Sequence, residues 1–253
     1  MFVEILGRSI PAYGLIIALG VICANIPAFL YLKKERLDTN DFIILEAYCF
    51  QGAFLGAKLL FLIVSFDLIQ WNRVTEPDYF NSLMQSGFVF YGGMLGGLSF
   101  VILAGRFHRI NAKDYIERLI FLIPFIHAFG RIGCYRAGCC YGITYSGIGA
   151  VIYSPGTLAP HGVPLFPVQL IEAVLLVLIS VLLMCLTIKG KRSLTVPLYF
   201  ITYGAVRFVL EFYRGDDVRG NYLFFTTSQW ISMELIILGS VILFRNEAKK
   251  KSL

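Results

Sequence analysis

The strongest constraint on this chain is the recurrence of long apolar runs. Seven segments, roughly 10–32, 42–64, 88–105, 117–134, 166–188, 195–213 and 228–244, span or nearly span the hydrocarbon core of a bilayer. In hydrocarbon each backbone N–H and C=O must be satisfied within its own segment, which leaves the α-helix for runs of this length. The expected fold is all-α: a polytopic membrane protein with seven transmembrane helices in a single domain over 1–253. Its long loops fall at 65–87 and 135–165. The first run lacks a basic n-region and an A-x-A site, so it is expected to remain a membrane helix rather than be cleaved.

Charge placement orients this bundle. The net charge is +6, with only 15% charged residues against 57% hydrophobic, far from the roughly one-quarter charged expected of a soluble domain. The bases lie in short clusters between apolar runs, so no nucleic-acid partner is expected. Lys33, Lys34 and Arg36 form the first cluster, and Arg106, Arg109, Lys113 and Arg118 the second. Lys189, Lys191 and Arg192 form the third, and Arg245, Lys249, Lys250 and Lys251 the tail. Seven spans place all four on one side, and the positive-inside rule makes that side cytoplasmic, with the N-terminus outside. The other connections carry Asp67, Glu76, Asp78, Asp216 and Asp217. Trp71, Tyr79 and Phe80 mark 65–87 as an interfacial segment, and Pro155, Pro160 and Pro164 mark 143–165 as an irregular lid or loop.

Charged residues inside apolar runs then point to a site. The stretch HAFGRIGCYRAGCCYG, His127 to Gly142, reads as a turn-rich run with Arg131 still inside the apolar segment and Arg136 at its edge. An arginine there is expensive unless it has a partner or a task. In YFITYGAVRFVLEFYRGDD, Arg207, Glu211 and Arg214 share one helical face, and that face cannot front lipid. Two readings stand, a structural ion pair that fixes helix packing and a guanidinium held in place by Glu211 for an anion. Gln169 and Glu172, one turn apart in FPVQLIEAVL, are partners for these arginines or interhelix hydrogen-bonding groups. Lys58 is too deep to snorkel easily and is expected to meet an anion or carboxylate inside the bundle. Gly52 and Gly56 form a small-xxx-small contact, while Gly92 and Gly93 serve close packing or line a slot for lipid. Tyr13 reads as an aromatic-belt tyrosine, and Tyr91 as an interface anchor or a donor to an anion. Arginine's planar fork suits phosphate oxygens, so the arginines together suggest an outward-facing site for a phospholipid headgroup.

Cysteines divide in two. Cys23, Cys49 and Cys185 sit in apolar runs as small fillers. Cys134, Cys139 and Cys140 are placed in the outward loop. There a Cys134–Cys139 or Cys134–Cys140 disulfide, or a thiolate activated by Arg131 and Arg136, are the readings. A metal with His127 or His161 as fourth ligand is a lesser reading, because the C-x4-C-C spacing matches no standard zinc pattern; no metal and no cofactor are expected.

These motifs resemble those of the prolipoprotein diacylglyceryl transferase family. The likeness runs over nearly the whole chain: AYG at 12–14, GAFLGAKL at 52–59, YGGMLGG at 91–97, GRIG at 130–133 and G-x-x-YG at 138–142. It continues through FPVQLIEA at 166–173, RFVLEFYR at 207–214 and SQWISMELIILG at 228–239. Lys58 stands where the family usually has Arg, and Tyr91 where it usually has His. Cys134, Ala137 and Cys139 replace Asn, Asn and Glu. The resemblance implies a multi-pass enzyme of the bacterial plasma membrane. Its partners would be phosphatidylglycerol and a preprolipoprotein signal peptide with a lipobox cysteine. It implies transfer of the diacylglyceryl group to that cysteine with release of glycerol phosphate. Arg131 is expected to bind phosphate, with Arg207, oriented by Glu211, as a second clamp and Tyr91 or Glu211 as base. Tyr13, Lys58, Gly92, Gly93, Arg136, Gln169, Glu172 and Arg214 are expected around the substrate. Two alternatives are a lipid acyltransferase working through a loop cysteine and a non-catalytic phospholipid-binding paralogue.

Overall fold

A computed structural model describes residues 2–5, 8–85, 87–216 and 221–251; Asp217 lies outside them. Helices dominate: α1 Ala12–Glu35, α2 Thr39–Val64, α3 Pro77–Gln85, α4 Phe90–Phe107, α5 Ala112–Leu119, α6 Leu122–Ala137, α7 Val168–Ile188, α8 Thr195–Glu211 and α9 Thr227–Lys251. Five of them, α1, α2, α7, α8 and α9, are long and apolar enough to cross a membrane. α5 and α6 together pass the same test but bend by 55° at their junction. α4 is apolar but shorter. The chain is thus a polytopic membrane protein. It divides into two compact units, Leu32–Tyr115 and the combination of Met1–Tyr31 with Ile116–Leu253.

Within the first of these units, glycine allows α2 and α4 to touch backbone to backbone. A Cβ on Gly56 would strike the Gly92 carbonyl, one on Gly96 would strike the Gly52 carbonyl, and one on Gly93 would lie 3.2 Å from the Ala53 carbonyl. α2 therefore fills the side of Gly92 and Gly93 that a lipid slot would need, and both glycines serve packing. Asp38 starts α2 by accepting from the Asn40 N–H at 2.8 Å, which satisfies one of the helix's orphan donors. Lys58 is buried on α2, as expected; it donates to the Leu83 carbonyl and lies 4.9 and 5.1 Å from the ring centres of Phe61 and Phe88. A carbonyl dipole and the faces of aromatic rings both favour an ammonium. The 65–87 connection is tied down by polar contacts. The Trp71 indole donates to the Phe66 carbonyl at 2.9 Å, and the Tyr79 hydroxyl accepts from the Gln70 N–H at 2.9 Å.

In the other unit α6 packs on α7, α7 on α8 and α8 on α9. Small residues again set the approach: a Cβ on Gly204 would meet the Ser232 carbonyl at 2.8 Å, and one on Gly239 the Pro197 carbonyl at 2.7 Å. Between α6 and α7 the chain is an ordered lobe rather than an irregular lid. A two-stranded antiparallel pairing of Val151–Ile152 with Pro164–Leu165, and a small core of Tyr153, Ala159 and Leu165, hold it together.

Candidate active site

The turn-rich reading of His127–Gly142 gives way to a helix. α6 continues through Ala137, so Arg131, Cys134 and Arg136 are helical and only Cys139 and Cys140 lie in the loop. No residue before Gly138 forces an exit. At Gly138 a left-handed φ of 72° turns the chain, and its N–H caps the Cys134 and Tyr135 carbonyls. Gly133 has a packing reason instead, since a Cβ there would sit 2.7 Å from the Tyr13 ring of α1. A continuous helix also separates the two arginines. Five residues apart, they point to different faces; Arg136 is exposed while Arg131 is mostly covered.

Arg131 faces α7. Its Nε lies 3.1 Å from Glu172 Oε1, and Glu172 is 1% exposed. The contact is an ion pair without hydrogen-bond alignment at either atom. One turn earlier, Gln169 is as deeply buried and donates to the Cys139 carbonyl at 2.9 Å and to the Tyr153 hydroxyl at 3.1 Å. α7 thus holds the arginine helix with one side chain and the following loop with another.

On α8, Arg207 pairs with Glu211 one turn on, as the spacing predicted, and its Nη2 also donates to Ser228 Oγ of α9 at 3.0 Å. The Thr226 hydroxyl donates to Glu211 Oε1 at 3.0 Å. Arg207 Nη1 is buried and has no hydrogen-bond partner among the described residues. Arg214 does not continue the helical face, because α8 ends at Glu211. It sits on a turn, forks onto Asp216 at 2.9 and 2.6 Å, and keeps Glu211 Oε2 at 3.9 Å. The turn is bridged to the lobe by Ile143 N–H to the Tyr213 carbonyl and Gly215 N–H to the Tyr141 carbonyl, both 3.0 Å. Against its burial, the Asp216 carboxylate and Cys140 keep Arg214 protonated above the usual guanidinium range.

His127, on α6, feels the charge of both Arg131 and Arg207, and its ring meets Tyr203 edge-on at 5.5 Å. Sequence reasoning gave His127 no catalytic role, and it missed Ser228 and Asp216. His127, one turn before Arg131, carried a signal; Ser228, on another helix, had none that spacing could reveal. Tyr91 and Lys58, with Gly92 and Gly93, belong to the other compact unit.

Among the described residues no disulfide joins Cys134, Cys139 and Cys140, yet their sulfur atoms all lie within 4.8 Å of one another. Hydrogen bonds from Cys134 and Cys139, aided by the Arg214 guanidinium, hold the Cys140 thiol well below the usual thiol range. Hydrogen bonds to its two neighbours, together with burial, push Cys139 up.

A family model described as prolipoprotein diacylglyceryl transferase matches residues 1–245. The chain is 34% identical over 247 residues to phosphatidylglycerol–prolipoprotein diacylglyceryl transferase 2 of Clostridium perfringens, covering 95% of this chain and 92% of that one. It is 33% identical over 237 residues to the phosphatidylglycerol–prolipoprotein diacylglyceryl transferase of Clostridium tetani, covering 93% of each. The similarly named protein of Francisella tularensis subsp. mediasiatica is 31% identical over 245 residues, covering 91% of this chain and 87% of that one.

Proposed function

This chain belongs to the prolipoprotein diacylglyceryl transferase family, and on that footing we propose that Arg131 and Arg207 grip the phosphate of its lipid substrate. The enzyme transfers the diacylglyceryl group of phosphatidylglycerol to prolipoprotein. The acceptor is the lipobox cysteine of the signal peptide. Its thiolate attacks the glyceryl carbon that bears the phosphate, a C–S bond forms, the C–O bond breaks, and glycerol phosphate leaves with the electron pair. Negative charge concentrates on the departing phosphate, and preorganised donors aimed at it lower the barrier most.

Arg207 carries the assignment. Glu211 and Ser228 hold two sides of its position while the buried Nη1 has no hydrogen-bond partner among the described residues. A buried N–H without a partner is costly, and a phosphate oxygen would satisfy it. Arg131, positioned by Glu172, supplies the second charge. Gln169 and Tyr13 shape the walls, and Arg214 and Arg136 add positive field at the end of α6. His127, one turn before Arg131 on α6, is a candidate to take the thiol proton, a task that Glu211, already paired, performs less readily. The roles of Tyr91 as base and of Lys58 as a substrate contact rest on the sequence match alone.

For the membrane frame, we infer seven spans, counting the bent α5–α6 pair and the shorter α4 with the five long helices. The N-terminus and the 65–87 and 135–165 loops face outward from the bacterial plasma membrane and the C-terminus is cytoplasmic, as the lysine and arginine clusters require. Protein reconstituted with phosphatidylglycerol and a lipobox peptide tests the reaction. The peptide is expected to gain a diacylglyceryl mass on its cysteine with release of glycerol phosphate. An unmodified peptide in the presence of intact, lipid-binding protein would refute the assignment.

A further inference from the structure

The three clustered cysteines have no part in diacylglyceryl transfer, because a thioether formed on the enzyme would be too stable to pass on. Their placement is nonetheless specific. Cys134 lies on the last turn of α6 and is buried. Gly138 reverses the chain, the Cys139 N–H donates to the Cys134 carbonyl at 3.2 Å, and Gln169 clamps the Cys139 carbonyl from α7. Cys140 adopts a φ of 57°, a left-handed conformation uncommon for a residue with a side chain. All three sulfurs end within 4.8 Å of one another. A disulfide would use two of them and leave the third; a single soft cation uses all three. Metal–sulfur bonds of about 2.3 Å set sulfur–sulfur separations of roughly 3.8 Å, so the cluster needs to contract by about 1 Å at most.

The geometry points to a thiolate site for one thiophilic d10 cation, Zn2+ or Cu+, held by Cys134, Cys139 and Cys140 at the end of the arginine helix. The C-x4-C-C spacing hid it, because the known zinc spacings come from other turns, whereas here a glycine-capped helix end brings the sulfurs together. Charge balance supports it. Three thiolates and a divalent ion leave one net negative charge, and the Arg214 guanidinium interacts directly with Cys140. The Gln169 clamp on the Cys139 backbone plays the orienting part that outer contacts play in metal sites. Three protein ligands leave a fourth position for water or another donor.

The test uses full-length protein purified in detergent under a non-thiol reductant and titrated separately with Zn2+, Cu+ and, as a spectroscopic probe, Co2+. Stoichiometric binding, a sulfur-to-cobalt charge-transfer band and metal protection of these three cysteines from alkylation are expected. Loss of a direct ligand exceeds the 10–100-fold penalty of losing an outer-shell partner, so C134S, C139S and C140S should each weaken binding at least about 100-fold. C185S should bind as wild type does. Binding in the zinc arm identifies a divalent site and binding of Cu+ alone a monovalent one. Alkylation protection is read on wild-type protein, so it stands even if a variant misfolds. Absence of binding in every arm, unprotected thiols, or a disulfide between two of the three that persists in metal excess without reductant would each overturn the site. None of these readouts depends on transferase activity.

Discussion

At the scale of single residues, the proposed phosphate grip is two arginines, each paired with a carboxylate. Removing one member of a buried pair leaves the other charge uncompensated, at a cost of about 3–5 kcal/mol. Glu172 is almost fully buried against Arg131, so E172Q is expected to lower thermal stability in detergent by that order and to reduce transfer. R136A alters an exposed side chain and is expected to stay within about 0.5 kcal/mol of wild type. Unfolding curves for the two variants check both statements; equal stability would mean that Glu172 does not compensate Arg131. The Arg207–Glu211 pair was legible from its spacing because i and i+4 positions face each other on a helix. The Asp216 fork on Arg214 was not legible, because both residues lie beyond the end of α8 at Glu211, where no helical period sets the contact.

At the scale of elements, the apolar runs located the helices well and their ends less well. α6 runs three residues past the expected end of its span because an arginine, a tyrosine and an alanine continue a helix readily until a glycine caps it. The α2–α4 contact was legible as a run of glycines, but its register was not: Gly56 faces Gly92 and Gly52 faces Gly96. Neither backbone can recede without moving a whole helix, so G56L is expected to destabilise the protein by roughly 1–3 kcal/mol or more. G14A meets nothing within 4 Å and removes a flexible residue from α1, so it is expected to be neutral or to stabilise by up to about 1 kcal/mol. Thermal melts of the two variants in the same detergent test this; a G56L protein as stable as wild type would mean that α2 and α4 do not pack through these glycines.

At the scale of the whole molecule, membrane character was legible because hydrocarbon leaves so few ways to satisfy a backbone. The pairing of Arg131 with Glu172 was less so, since it depends on which face each helix turns inward. In a cysteine-free background, a cysteine at Leu158 in the 135–165 loop should react with a membrane-impermeant maleimide in intact cells, and one at Lys191 should not. The reverse pattern would invert the bundle and put the site on the wrong face for its acceptor. The most direct test of the phosphate grip is steady-state transfer by R207K in lipid nanodiscs. Lysine keeps the charge but lacks the planar fork, and losing one preorganised donor costs roughly 100–1,000-fold in kcat. The expected result is a kcat lower by about that factor in folded protein, with the KM for the acceptor peptide little changed. A kcat within a few-fold of wild type would mean that Arg207 does not hold the departing phosphate.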